Sequence, residues 1–219
     1  IYDILGKNTE SKLGVRDIVL THYISWKKFW EVGYDKRRVI DAPVPADHHK
    51  YKNYELTTDE KKKYGCDLCF VCHGSDLNGH IQAVLKNYPE ILQEPVDEIY
   101  KGYARYVFET GNLFFTEELF REYISGAMEQ RFQLRLKEKM LNRMAEDMLS
   151  WFSQSVYRQA LVDWLLDAGY DNIKLWGNGW MQEPKYAAYA MGPAENGETL
   201  SKIYQASKIV VGNNMRSTA

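Results

Sequence analysis

The sequence has 219 residues, of which 45% are hydrophobic and 26% are charged, and its net charge is −2. This length permits one large domain or two small ones with a real core, and the composition excludes disorder over most of the chain. The balanced charge gives no reason to expect a nucleic-acid partner. The longest apolar run, Tyr186–Met191, is far shorter than the roughly 20 residues that cross a bilayer.

Residues 1–57 are predicted to hold the end of a first domain and a crossover segment. An apolar stretch at Asp17–His22 predicts a strand, and the aromatic residues from Trp26 to Trp30 predict a short helix. The run Arg38–Pro45 predicts a second short strand that ends in a proline-containing turn.

The second domain is predicted to cover 58–219. Thr57 and Glu60 form a capping-box pattern ahead of a short basic helix that stops at Gly65. The segment from Cys66 to Cys72 then alternates in polarity and predicts a buried strand.

All three cysteines lie in that strand, and His73 follows them. The spacing Cys69–His73 is that of a c-type haem attachment site, and the two-residue gaps also suggest a zinc or iron–sulfur site. Alternation along a strand instead points neighbouring thiols to opposite faces, and no second ligand pair for zinc occurs elsewhere. We interpret the cysteines as small buried side chains, reduced in a cytoplasmic protein.

A glycine-containing loop follows the strand at 74–79, and a helix is predicted from about His80 to Tyr88. The next region, about 96–168, is predicted to be a large helical insertion, with serines from Ser150 to Ser155 marking a bend and Gly169 a helix C-cap. Its apolar residues recur at helical spacing. The recurring positions are Phe120, Ile124, Ala127, Met128, Leu141, Met144, Met148, Phe152, Val156, Ala160 and Trp164.

A second α/β unit closes the chain. It is predicted as a strand at 172–176, a Gly-Asn-Gly-Trp loop at 177–180, a helix at 196–206 and a strand at 208–212. Strands that alternate with helices favour a parallel sheet, whose ligands bind beyond the carboxyl ends of the strands. The glycine loops fall at those ends.

Two of these loops are candidates for ligand contacts. Gly74, Ser75 and Asn78 lie between a strand and a helix start, where backbone N–H groups can hold a phosphate. In the Gly177–Trp180 loop the indole could cover a sugar or a base. Each loop is also compatible with an ordinary turn, and Trp180 with simple packing.

Three segments also occur in an order known from one family: Cys66–Gly74, Lys174–Trp180 and Gly197–Asn214. With the upstream segment Val39–Asp47, they resemble spore-coat-type glycosyltransferases. The resemblance implies a GT-B fold, and therefore an α/β chain whose 58–219 part is a Rossmann-like donor-binding domain of the C-terminal type.

The resemblance also implies an activity. A nucleotide-diphosphate sugar would be the donor substrate, and its sugar would pass to an unknown protein or glycan acceptor without a metal or other cofactor. It places the nucleotide sugar against the two loops and the end of the last strand. The implied binding residues are Gly74, Ser75, Asn78, Gly177, Asn178, Trp180, Tyr204, Asn213, Asn214 and Arg216. No catalytic residue is identified.

Two departures from the family pattern are present. Cys72 stands where the family has glycine, and the chain ends at Ala219, before a further family segment, which predicts a fragment that is incomplete at its C-terminus. The alternative to an enzyme is a noncatalytic interaction module that presents the helical region to a partner.

Overall fold

A computed structural model describes residues 47–114 and 116–212, with short pieces at 19–21, 37 and 39–41. The chain divides after His49 into two compact units. In the first unit, the strands β1 (Val19–Thr21) and β2 (Val39–Asp41) pair in parallel, and both had been predicted. The helix predicted near Trp26 lies outside the described residues.

The second unit begins at Lys50, eight residues before the boundary placed from the sequence. The segment that precedes the first helix is tied to a late helix of the same unit. The Gln205 side chain accepts from the Tyr54 N–H and donates to the Lys52 carbonyl.

The strands of this unit are separated along the chain by helices or 3-10 turns. In chain order the elements are α1 (Thr58–Tyr64), β3 (Cys66–Val71), α2 (Leu77–Leu85), α3 (Glu90–Thr110), α4 (Glu117–Phe132), α5 (Glu138–Asp147), a π-helical turn (Met148–Phe152), α6 (Ser153–Asp167), β4 (Ile173–Trp176), two 3-10 turns (Trp180–Gln182 and Ala187–Tyr189), β5 (Ala190–Gly192), α7 (Glu198–Ala206) and β6 (Ser207–Val211).

The described strands of this unit form a four-stranded parallel sheet in the order β5-β4-β3-β6. Counted from β3, this is the order 3-2-1-4, which is the order of the first four strands in Rossmann-type sheets. The chain leaves β3 toward β4 and β5, and α7 then leads it to β6 on the other side of β3. The order therefore reverses between β3 and β6.

Side chains cover both faces of this sheet. Leu68 and Phe70 of β3 pack on one face with Val162 of α6, whereas Cys69 packs on the other face with Ile203 of α7. The predicted alternation of β3 is thus confirmed for these residues. The α/β class and the Rossmann-like parallel sheet follow from this layering.

The connection between β3 and β4 contains the predicted helical region with a hydrophobic core of its own. The region starts earlier than expected, because α3 begins at Glu90 and includes Pro95 in its second turn. A proline there removes the hydrogen bond to the carbonyl of Ile91 and its ring crowds that carbonyl, but the helix continues through it. Where the serines were predicted to mark a bend, a π-helical turn at Met148–Phe152 joins α5 to α6.

Helix α6 ends where Gly169 was predicted to cap it. Gly169 has a φ of 87°. Its N–H donates to Leu166 O, and the Tyr170 N–H donates to Leu165 O. These two bonds form a Schellman motif, which turns the chain toward β4.

Candidate functional site

The loop after β3 lies at the carboxyl end of the central strand. Its backbone is fixed by the segment that follows β4, because the Cys72 N–H donates to Trp176 O (2.9 Å) and the Gly74 N–H donates to Asn178 O (2.8 Å). The structure therefore brings together the two glycine loops that the sequence placed 100 residues apart.

The Gly177–Gly179 loop approaches the first loop backbone to backbone. A Cβ at Gly177 would lie 2.1 Å from Cys72 O, and one at Gly179 would lie 2.3 Å from Gly74 O. Both residues also have a positive φ, 134° and 96°. Only glycine satisfies the conformation and the close approach together, so the Gly-Asn-Gly sequence is explained by the contact between the loops.

Gly74 is part of the same packing. A Cβ at this position would lie 2.8 Å from Trp180 N and 2.9 Å from Trp180 Cδ2. Its N–H is already bonded to Asn178 O. A side chain at Gly74 would therefore disturb the loop contact itself, and a substitution there would report on packing as well as on ligand binding.

Trp180 lies beneath these loops and is completely buried. Its Nε1–H donates to Cys72 O at 2.8 Å, and its ring packs between Phe70 and Tyr186. The indole supports the loops from below and is not accessible for stacking on a sugar or a base.

Helix α2 begins immediately after the first loop, and Asp76 is its N-cap. The Asp76 carboxylate accepts the Gly79 N–H at 2.7 Å. A negative charge from the chain itself therefore already occupies the position in which the sequence analysis expected a phosphate. Within the described part of these loops, the accessible polar side chains include those of His73, Ser75, Asn78 and Asn178, together with the exposed carboxylate of Asp76 itself.

His73 belongs to this site, although it was considered only as part of a cysteine–histidine motif in the sequence. Its side chain is exposed, and its Nδ1 accepts the backbone N–H of Asn178 at 3.1 Å. An acceptor at Nδ1 leaves the proton of the neutral ring on Nε2. His73 thus offers an exposed N–H donor at the end of the central strand.

Helix α6 contributes two more residues that the sequence analysis did not select. Gln159 is buried, and its Nε2 donates to the Ser75 carbonyl. Arg158 has a buried Nε without a hydrogen-bond partner in the described part of the chain. In the sequence, Arg158 and Gln159 are only two polar residues between Val156 and Ala160, which belong to the apolar positions that recur at helical spacing.

The three thiols differ in their surroundings. Burial raises the pKa of Cys69 to about 11 and that of Cys72 to about 12, and Arg158 opposes the shift at Cys72. Cys69 and Cys72 pack against the two opposite faces of the sheet, as the alternation predicts, whereas Cys66 packs in the same buried cluster as Cys69, so the prediction is wrong for that neighbouring pair. The thiols of Cys69 and Cys72 are both protonated near neutral pH, which is typical of structural cysteines.

Four predicted site residues lie elsewhere or outside the described residues. Tyr204 is in the last turn of α7, three residues before β6 begins, and therefore near the amino end of the sheet. The loops are at the opposite edge, so the structure does not bring Tyr204 to them. Asn213, Asn214 and Arg216 lie outside the described residues.

Between residues 47 and 212, apart from 115, no helix is both long and apolar enough to cross a membrane. In the same part of the chain, no group of three or more His, Cys, Asp or Glu side chains is arranged to hold a metal ion.

Comparison with known proteins gives no match to the chain among protein-family models, curated proteins or solved structures.

Proposed function

We propose that the second unit binds a nucleotide-diphosphate sugar and that the protein is a glycosyltransferase of the GT-B kind. One observation carries this proposal: the two interlocked glycine loops lie beside the point where a sheet of order 3-2-1-4 reverses. In open parallel sheets, ligands bind outside the carboxyl ends of the strands at this point.

The chemistry needs donors for the departing diphosphate. In the transfer, the oxygen of an acceptor hydroxyl forms a bond to the anomeric carbon of the sugar while the bond from that carbon to the diphosphate oxygen breaks, and the proton of the hydroxyl passes to a general base that the described residues do not identify. Negative charge then develops on the diphosphate, and fixed N–H and O–H donors lower the barrier by stabilising it.

The donor set in this proposal differs from the one expected from the sequence. His73 Nε2 and the side chains of Ser75 and Asn178 replace the helix start that Asp76 caps. Arg158 provides the cation, since its charge acts on Cys72 at the end of β3. Gly74, Gly177 and Trp180 shape the loops, while Asn78 remains an exposed amide on the first turn of α2.

The test is a titration of the whole chain with nucleoside diphosphates and their sugars, followed by thermal unfolding. A ligand that binds only the folded state raises the melting temperature. We expect a base-selective increase that is lost in His73→Ala. The matched control is His49→Ala, which removes an exposed histidine from the first unit.

Either of two results would overturn the proposal: no nucleotide or nucleotide sugar raises the melting temperature, or His73→Ala and His49→Ala respond alike. The first result would favour the alternative, a noncatalytic interaction module.

That alternative has one observation in its favour, because Trp151 in the π-helical turn is 69% exposed although its neighbour Phe152 is fully buried.

A further inference from the structure

A cavity lies in the helical region, at the end of α2 that is remote from the glycine loops. Its volume is about 220 Å³, and it is lined by Asn87, Tyr88, Lys137, Lys139, Met140 and Arg143. A nine-residue helix is about 13 Å long, so this cavity and the loop before α2 are separate sites.

Three of the lining residues are cations, Lys137, Lys139 and Arg143. None of them is in an ion pair with another residue of the described ranges. The neighbouring Glu138 lies instead near Arg121, at 3.9 Å. Three unmatched cations around one small cavity create a positive potential, although the whole chain has a net charge of −2.

The backbone adds to this potential. Lys137 is the N-cap of α5, and no side chain caps this helix start. The carbonyl of Lys137 accepts the N–H groups of Met140 and Leu141, whereas the preceding N–H groups, those of Glu138 and Lys139, have no partner inside the helix.

The cavity also has an apolar wall, and the carboxylate of Asp147 lies near it. Tyr88 is buried and Met140 is half-buried. Burial raises the pKa of Tyr88, and Asp147 raises it further, whereas Arg143 lowers it. Asp147 is already bonded by Tyr100 Oη (2.7 Å) and His80 Nε2 (3.1 Å), so its charge is partly compensated.

We propose that this cavity binds a small organic phosphate monoester, with the phosphate against Lys137, Lys139 and Arg143 and the organic part against Tyr88 and Met140. A phosphate dianion matches several cations better than a single carboxylate does. The volume lies below the range of about 300–1,000 Å³ that holds drug-sized ligands, which indicates a compact molecule.

The test is calorimetric titration of the whole chain with phenyl phosphate, inorganic phosphate and benzoate. We expect phenyl phosphate to bind more tightly than either of the others, because only it uses both the cations and the apolar wall. Arg143→Gln should weaken phenyl phosphate binding by about tenfold or more. Lys61→Gln, an exposed lysine of α1, is the matched control and should leave binding unchanged.

Because the proposed nucleotide site also binds phosphate, His73→Ala is measured in the same series. The cavity proposal requires that His73→Ala retain phenyl phosphate binding. It fails if phenyl phosphate does not bind, if Arg143→Gln and Lys61→Gln behave alike, or if only His73→Ala loses binding. The last result would place the phosphate at the loops and leave the nucleotide proposal standing.

Discussion

The helical region and the glycine loops are stabilised in opposite ways. In the helical region, large side chains fill the space between helices, and Tyr103, Phe120 and Phe152 are completely buried. In the loops, backbone lies against backbone, and Gly177 and Gly179 leave no room for even a methyl group. Side-chain packing of the first kind accepts other residues of similar volume, whereas backbone contact of the second kind accepts glycine alone.

This difference predicts that the helical core and the loops tolerate substitution differently. The helical core contains several buried methionines, whose flexible side chains adapt to neighbouring substitutions. The loops determine where His73, Ser75 and Asn178 lie, so small changes there alter the candidate site directly. We therefore expect the two regions to respond differently to substitution in both size and kind.

The largest effect is expected in the helical core. Phe152→Ala removes a ring that packs edge-on against Tyr100, with ring centroids 4.7 Å apart. We expect a loss of about 3–5 kcal/mol in the free energy of unfolding, because a buried phenyl ring is lost and a cavity remains. Chemical denaturation measures it. Trp151→Ala, the exposed neighbour, should change stability by less than about 0.5 kcal/mol, and an equal loss in both variants would contradict the assigned core.

A smaller loss is expected in the loops. Gly177→Ala puts a methyl group 2.1 Å from Cys72 O in a backbone with a φ of 134°. Conformational strain and overpacking together predict a loss of about 2–4 kcal/mol.

The control for this loop variant is Gly192→Ala. Gly192 has a φ of 83°, but an added Cβ would meet no atom within 4 Å. This variant should lose only the strain, about 1–2 kcal/mol. If denaturation shows the same loss for both variants, the close approach of the loops is not what requires glycine.

A gain is expected at Gly126, inside α4. An added Cβ there would meet no atom within 4 Å, so Gly126→Ala removes backbone freedom from the unfolded chain at no steric cost. We expect stability to increase by about 0.5–1 kcal/mol, measured as a higher denaturation midpoint. A decrease would mean that this face of α4 is more crowded than described.

The smallest effect concerns the polar anchor between α1 and α7. Hydrogen bonds from Lys202 and from the Thr57 N–H lower the pKa of Glu60 from 4.5 to about 2. A lowered pKa stabilises the folded state fully above pH 4.5, and this contribution is lost as the pH falls toward 2. Melting temperatures of Glu60→Gln should therefore fall less steeply over this interval than those of the parent chain. Equal slopes for Glu60→Gln and the parent chain would contradict this role of Glu60.

Local patterns predicted several elements because local physics determines them. The Thr57–Glu60 capping box starts α1 as expected, with both reciprocal bonds present, and the alternation from Leu68 to Phe70 matches the two faces of β3. The strand β5 was missed, because Ala190–Gly192 is only three residues long and lies directly after two 3-10 turns. A period of two cannot be recognised over so short a segment.

The candidate site was predicted only in part. The sequence identified both glycine loops. It did not show whether their glycines are needed to contact a ligand or to let the two loops pack against each other. Trp180 was expected at a ligand and is instead buried beneath the loops. His73 and Arg158 were not selected, because nothing in the local sequence distinguishes an exposed imidazole donor, or a guanidinium whose Nε is buried without a partner, from an ordinary surface residue.

The sequence by itself determined the elements whose causes are local: the capping box of α1, the C-cap at Gly169, the apolar strands, and the helical region between β3 and β4. Only the tertiary structure decided the strand order, the contact of Gly177 with Cys72 and the cavity beside Arg143. These features join residues far apart in the chain. Spacing along the chain specifies helix and strand periods, but it does not specify which distant backbone or side chain fills a given space.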